Sequence, residues 1–464
     1  MSRAAGGRVA GAVRGFTDRT FAALNGRNYR LWFGGQSISL IGTWMQSVAQ
    51  SWLVYELTGS ATVLGTVVAV QTLPTLLLGP YAGVWVDRLD RRRLMIGLQA
   101  MMGVQALALA VLTLTGTIAL WHVYVLAAVL GLNKAFENPA RQTFVHELVG
   151  PDDLRNAVSL NSVLVNAARA VGPAIAGVVI VAGGTGVCFL LNAVSFVAVV
   201  SSLLRLDVSA LTPTAPTPRA PGQLREGFSY VRGNTELLLP LLMMGLIGCL
   251  AYEFPVVLPV VASQTFGGDA GTYGWLTGAM GVGAVVGGLV VAGRGRTGLP
   301  ALVRTSLWFG AALGLAALAP TLWVALLAMG LVGMASVAFM AGGNSTLQLA
   351  SAPHMRGRVM ALWSVAFLGS TPIGGPVAGW VSQQFGGRGG LALGALACLV
   401  AAAIGWPAAR RAASTTSAPT PPATTTGPRP EDAHRSVERS RGRVRVATPG
   451  ERSRRDRAAR DRAR

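Results

Sequence analysis

The sequence predicts an all-α integral membrane protein of twelve transmembrane helices in two six-helix halves, and three observations predict it. The 464 residues are 52% hydrophobic and only 12% charged, whereas roughly a quarter of the residues in soluble domains are charged. Apolar runs long enough to cross a bilayer, which takes about 20 residues, recur along the whole chain. A stretch rich in proline and threonine interrupts them midway.

The runs lie at 31–55, 61–86, 94–116, 119–140, 158–182 and 186–205 before the interruption. They resume at 237–262, 272–293, 300–318, 321–345, 359–383 and 389–408. Short turns divide the pairs near 118 and 319. The interruption, opening "LTPTAPTPRAPG", reads as a linker, and from Gln223 an amphipathic surface helix is expected. Five regions follow: a cytoplasmic N-terminal segment 1–29, a first half 30–205, a linker 206–236, a second half 237–408 and a basic tail 409–464. The tail has few large apolar residues and is expected to be disordered.

A repeat supports the two halves. "PDDLRNAVSLNSV" at 151–163 aligns without gaps on "PHMRGRVMALWSV" at 353–365, and "VGPAIAG" at 171–177 then meets "GGPVAGW" near 374. Paired six-span halves are the architecture of two-half secondary transporters, which bind substrate near the midplane between the halves.

Arginines set the orientation, because short loops rich in Lys and Arg stay cytoplasmic. Counting residue 1 as cytoplasmic puts Arg88, Arg91 to Arg93, Arg155, Arg205, Arg219, Arg225, Arg232, Arg294, Arg296, Arg356, Arg358 and the tail on that side. The opposite loops hold only Arg388. Both termini are therefore expected inside a bacterial plasma membrane. The first twenty residues lack the apolar core and cleavage site of a secretory signal, so the first span is expected to direct insertion.

The net charge of +20 raises the question of nucleic acid. Fifteen arginines against six acids lie after Pro407, and six arginines against Asp18 lie in the first thirty residues. No basic stripe interleaved with aromatics runs through the spans, so nucleic acid is excluded as a partner. Cys188, Cys249 and Cys398 stand far apart in apolar runs and read as buried hydrophobes. No metal-spaced cluster, paired-Asp motif or nucleophile constellation appears in the spans, which argues against an enzyme and against a bound cofactor.

The hairpin "GVWVDRLDRRRL" at 83–94 carries the pattern Gly83-x-x-x-Asp87-Arg88-x-x-Arg91-Arg92. It resembles the loop between spans two and three of the major facilitator superfamily, with Asp90 where that loop usually has glycine. "NAARAVGPAIAG", with Gly172, Pro173 and Gly177, resembles the Gly-Pro signature of the antiporters of that superfamily. "NYRLWFGGQSISLIGTWMQSVAQSWLVYELTGS" and "ENPARQTFVHELV" complete a resemblance to its macrolide and siderophore exporter branch over residues 28–408. The resemblance implies the major facilitator fold and proton-coupled export of an amphipathic small molecule, with the proton gradient as energy source. It also implies that Asp87 latches the halves by meeting the start of span eleven at Arg356 and Arg358, supported by Arg88, Arg91 and Arg92. Uptake or lipid flipping on the same fold, and a membrane sensor or scaffold, are the alternatives. The expected partners are a small-molecule substrate, protons and membrane lipid, and the chain is expected to act as a monomer.

Ionisable groups inside spans are expensive and are functional candidates by default. Lys134, the only lysine, and Glu137 lie three residues apart on one helix face; they either neutralise each other or serve the transport site. Arg169, one turn before Gly172, either faces the cavity or pairs with Glu137. Glu253 stands without a basic neighbour in "AYEFPVVLP", whose prolines loosen the helix. Glu137 and Glu253 are the candidates for proton coupling. Gln36, Trp44, Gln46, Gln50, Asn161 and Asn166 interrupt apolar runs and are candidates for the cavity wall or for buried hydrogen bonds between spans.

Overall fold

The structure, a computed structural model, describes residues 21–86, 88–212, 223–294 and 297–416. Among them the regular structure is helical throughout. A short 3-10 turn, Ala22–Asn25, leads into α1 (Arg27–Thr58), α2 (Ala61–Val86), α3 (Arg91–Leu114) and α4 (Leu120–Leu204). After the linker come α5 (Gln223–Arg232), α6 (Thr235–Leu250), α7 (Phe254–Val260), α8 (Ala270–Arg294), α9 (Leu299–Leu318), α10 (Leu322–Ala350), α11 (Arg356–Leu368) and α12 (Thr371–Thr416). Met1–Ala413 forms one unit and Ser414–Arg464 a second. Of the second, only the last residues of α12 are described.

Glycines mark the chain reversals. Gly59 ends α1 with φ of 60°, its N–H donating to Tyr55 O, a left-handed cap that costs glycine little. Gly150 (φ 68°) and Gly184 (φ 79°) divide α4 into the stretches expected as spans four, five and six. Gly386 (φ 72°) divides α12 the same way. Span four was expected to end near 140, but its helix runs on to Gly150, because only there does the backbone leave helical geometry.

Span seven differs more. It was expected to be continuous over 237–262, but the helix breaks between α6 and α7 at Ala251–Glu253, with Glu253 as the N-cap of α7. Pro255 then occupies the first turn, where its missing N–H interrupts no helical bond. A π-helical turn, Val261–Thr265, follows Pro259.

Eight segments among the described residues are long and apolar enough to cross a membrane, two of them over 50 residues long. The stretches expected as spans one and four are helical but are not among the eight. They hold Gln36, Gln46 and Gln50, and Lys134 and Glu137. The outer surface is apolar, with Leu318 and Trp323 exposed by 79% and 77%, a patchwork suited to lipid and costly in water.

Two buried cores organise the helices. One joins residues from both sides of the linker, including Leu53, Leu64, Phe189, Val257, Tyr273 and Ala378. The other is built from residues before 207 alone, around Tyr29, Trp32, Met95, Phe144 and Phe196.

Candidate functional site

Small residues bring α2 and α12 together. A methyl group on Gly375 would stand 2.8 Å from the Gly65 carbonyl oxygen, and one on Gly379 would run into the Ala61 carbonyl. Gln383 Oε1 accepts a hydrogen bond from the Ala61 N–H at 2.7 Å, filling one of the free amides at the start of α2. The pair α4 and α8 meets likewise, with Gly177 on Gly274, Ala174 on Gly278 and Ala170 on Gly281. Trp52 stacks on Tyr273 with ring centroids 6.4 Å apart.

Beside these contacts lies a cavity of about 260 Å³. Its walls come from α1 (Trp44, Gln46, Gln50), α2 (Leu64, Val67, Gln71), α3 (Met102, Gln105), α4 (Lys134, Asn192, Phe196) and the broken helix (Tyr252, Glu253, Pro255, Thr371 opposite). Trp44, Gln46, Gln50, Lys134 and Glu253, all expected from the sequence, therefore share one site. Gln36 is buried but does not line it, and its Oε1 has no partner. Asn161 Oδ1 is likewise unpartnered and away from the lining.

The amides bond to each other. Asn192 Nδ2 donates to Gln46 Oε1 at 2.6 Å, Gln46 Nε2 to Gln105 Oε1 at 2.9 Å, and Gln50 Nε2 to Gln71 Oε1 at 3.0 Å. Gln71, Gln105 and Asn192 were missed in the sequence reading. Their signal was the same as for Gln46, an amide inside an apolar run.

Charged groups depart from the expected pairings. Glu137 pairs with Arg141 at 3.0 Å, one turn along the same helix, and forms no ion pair with Lys134 or Arg169 among the described residues. The i,i+4 geometry brings those two side chains together, while Lys134 feels the Glu137 charge without forming an ion pair with it. The Arg169 guanidinium lies over the Trp44 ring, 5.0 Å from its centroid, a cation–π contact, and its Nε has no hydrogen-bond partner. Glu253 is 2% exposed and its Oε1 has no donor. A methyl group on Gly374 would come within 2.9 Å of Glu253 Oε1, and one on Gly375 within 3.7 Å of Oε2.

At the arginine-rich hairpin, Asp87 lies outside the described residues, as do the surroundings of Gly83 and the side chain of Asn166. Asp90, which stands at the glycine position of the resembled loop, is the N-cap of α3, its Oδ1 accepting from the Arg93 N–H at 2.7 Å. Arg88 continues the turn, its N–H donating to Trp85 O. Arg91, 8% exposed, forms an ion pair with Glu147. Arg92 donates to the Leu203 and Leu204 carbonyls at 2.9 and 3.0 Å, capping the end of α4 where the helix dipole is negative. Arg356 Nε donates to Gln348 O at 2.9 Å, and Arg358 pairs with Glu226 of α5 at 2.6 Å. Gly172 packs on Trp44 and Ile41 of α1, and Pro173 O faces Gly274.

A family model described as transmembrane secretion effector, of the major facilitator type, matches residues 18–451. The chain belongs to this family. It is 27% identical to the staphyloferrin A transporter of Staphylococcus aureus over 56% of this chain and 66% of that protein. It is 24% identical to macrolide efflux protein A of Streptococcus pyogenes over 75% and 87% of the two chains. The enterobactin exporter of Shigella boydii is 24% identical over 80% and 91%. The match thus spans just under two thirds of the first of these relatives and most of the other two. The crystal structure of a bacterial homologue of the human lysosomal transporter Spinster, inward-facing and unoccupied, superposes with a TM-score of 0.66 at 12% identity, covering 85% of this chain and 98% of that one. The chain therefore has the major facilitator fold. Its family and relatives are membrane transporters and not enzymes, as the hairpin and the Gly-Pro segment implied.

Proposed function

We propose that this protein is a proton-coupled exporter of an amphipathic small molecule. It crosses the bacterial inner membrane twelve times in two six-helix halves, with both termini in the cytoplasm, and works as a monomer by rocking one half against the other. Efflux proteins among its relatives support the direction of transport. The glycine contacts of α2 with α12 and of α4 with α8 close the outer end. The core confined to the first half supports an open cytoplasmic end.

The observation that carries the reading is the position of Glu253. Its carboxylate borders the cavity on one side and the Gly374–Gly375 pair on the other. A charged carboxylate away from water is costly, so the closed outer contact favours the protonated form. Loss of the proton then favours a conformation in which water reaches Glu253. Glu137, already paired with Arg141, serves that helix and is the weaker coupling candidate.

The expected result in expressing cells is exclusion of members of a dye and antibiotic panel, lost when the proton gradient is collapsed. Exclusion that persists without a gradient would sink proton coupling, and inward accumulation would sink export.

A further inference from the structure

Lys134 is the only lysine of the chain and one of two charged residues lining the cavity, the other being Glu253. It makes no hydrogen bond or ion pair with any described residue. The nearest carboxylate along its helix, Glu137, is engaged by Arg141. The cavity amides spend their acceptors on each other, Gln46 Oε1 on Asn192, Gln105 Oε1 on Gln46 and Gln71 Oε1 on Gln50. Glu253 sits on the far side of the linker in sequence, and the two form no salt bridge. An ammonium group is thus held at the wall of a cavity inside the spans, with no hydrogen-bonded or ion-paired anion among the described residues, and Glu137 acts on it only at a distance.

Such a charge is expensive unless it gains a partner. The same cavity is lined by aromatic and apolar surface from Trp44, Phe196, Met102 and Leu130. The Arg169 guanidinium lies on the ring of Trp44, one of those lining residues. A lysine is a compact point charge with three donors on a flexible stem, able to follow an acid group in several orientations.

We propose that the exported molecule carries an acidic group, a carboxylate or a comparable small oxyanion, which Lys134 binds while the apolar body rests against Trp44 and Phe196. This rests on the reading of the cavity as the substrate site. Glu253 carries no positive charge in either protonation state and does not pair with the acid.

The test uses purified full-length protein in phosphatidylcholine nanodiscs, where no anionic headgroup competes. The probes are benzoate, 1-naphthoate and 9-anthroate, each against its uncharged carboxamide, with affinities read from tryptophan quenching. A charge-assisted bond corresponds to a preference of about tenfold or more for the acid. That preference should fall to near one in Lys134→Gln and return in Lys134→Arg. Equal affinity within each pair, no binding by any probe, or a preference that survives Lys134→Gln would overturn the site. Gradient-driven flux of the same acids into everted vesicles separates the two readings: a Lys134-dependent preference without flux keeps the acid site and removes export.

Discussion

Gly65 of α2 lies against Gly375 of α12 so closely that a methyl group on either would meet the other's carbonyl. Two backbones from distant parts of the chain approach as they do only where side chains are absent, in the manner of small-residue packing between membrane helices. Overpacking such a contact costs about 1–3 kcal/mol. Gly65→Val should therefore reach the membrane at normal levels yet transport about tenfold more slowly or worse. Cysteine-labelling reagents added from outside should reach a cysteine at Thr62 more readily in that variant. Unchanged labelling and flux would remove the contact from the transport cycle.

Glu253→Gln keeps the shape of the side chain and removes its titration. Flux driven by a pH gradient is expected to fall to background in proteoliposomes, while substrate binding stays within about twofold of wild type. Proton-dependent flux in this variant would take Glu253 off the coupling path.

The Arg91–Glu147 pair is buried at 7% and 12% side-chain exposure. Removing one partner of a buried pair costs about 3–5 kcal/mol, whereas an apolar replacement of both is often neutral. Glu147→Gln should lower the melting temperature of the purified protein by several degrees. An unchanged melting temperature in Glu147→Gln would contradict a stabilising role for the pairing.

Arg356 and Arg358 are engaged by Gln348 and Glu226 in this conformation. A latch to Asp87, which the resemblance implies, then requires an exchange of partners during the cycle. Asp87→Asn should leave membrane expression intact and reduce flux, and Glu226→Gln should release Arg358 and raise the fraction of protein closed at the cytoplasmic end in spectroscopic distance measurements. Near-normal flux in Asp87→Asn would end the latch reading.

Within the amide network, Asn192 connects α4 to α1 through Gln46. Asn192→Leu leaves Gln46 Oε1 without its donor, a loss of about 1–2 kcal/mol by comparison with other intermembrane hydrogen bonds. Thermal unfolding in detergent would show it as a downward shift, and the Gln105→Leu variant should shift in the same direction, because it removes the acceptor of Gln46 Nε2 and the donor to Leu126 O.

Helical class and the family itself were legible in order and composition. Apolar run length, arginine placement and the Gly-Pro segment each depend on neighbours in sequence, and local physics reads such signals directly. Gln46, Gln50, Lys134 and Glu253 were legible as cavity candidates for the same reason, since a polar group in an apolar run needs an explanation. The break of span seven was half legible. Pro255 and Pro259 announced a weak helix, but proline tolerates the first turn, and only the backbone shows that the helix restarts there.

Pairing was not legible. Glu137 had Lys134 at three residues and Arg141 at four, and spacing alone does not rank them; side-chain direction along the helix brings Arg141 to it. Arg91 with Glu147, Arg92 with the Leu203 carbonyl and Gln46 with Asn192 join residues tens to more than a hundred positions apart. The sequence by itself determined a membrane-embedded helical transporter and which residues were out of place in hydrocarbon. Tertiary structure decided which of them bond to each other and which remain without a partner, because hydrogen bonds and ion pairs act over a few ångströms and only packing brings distant helices that close.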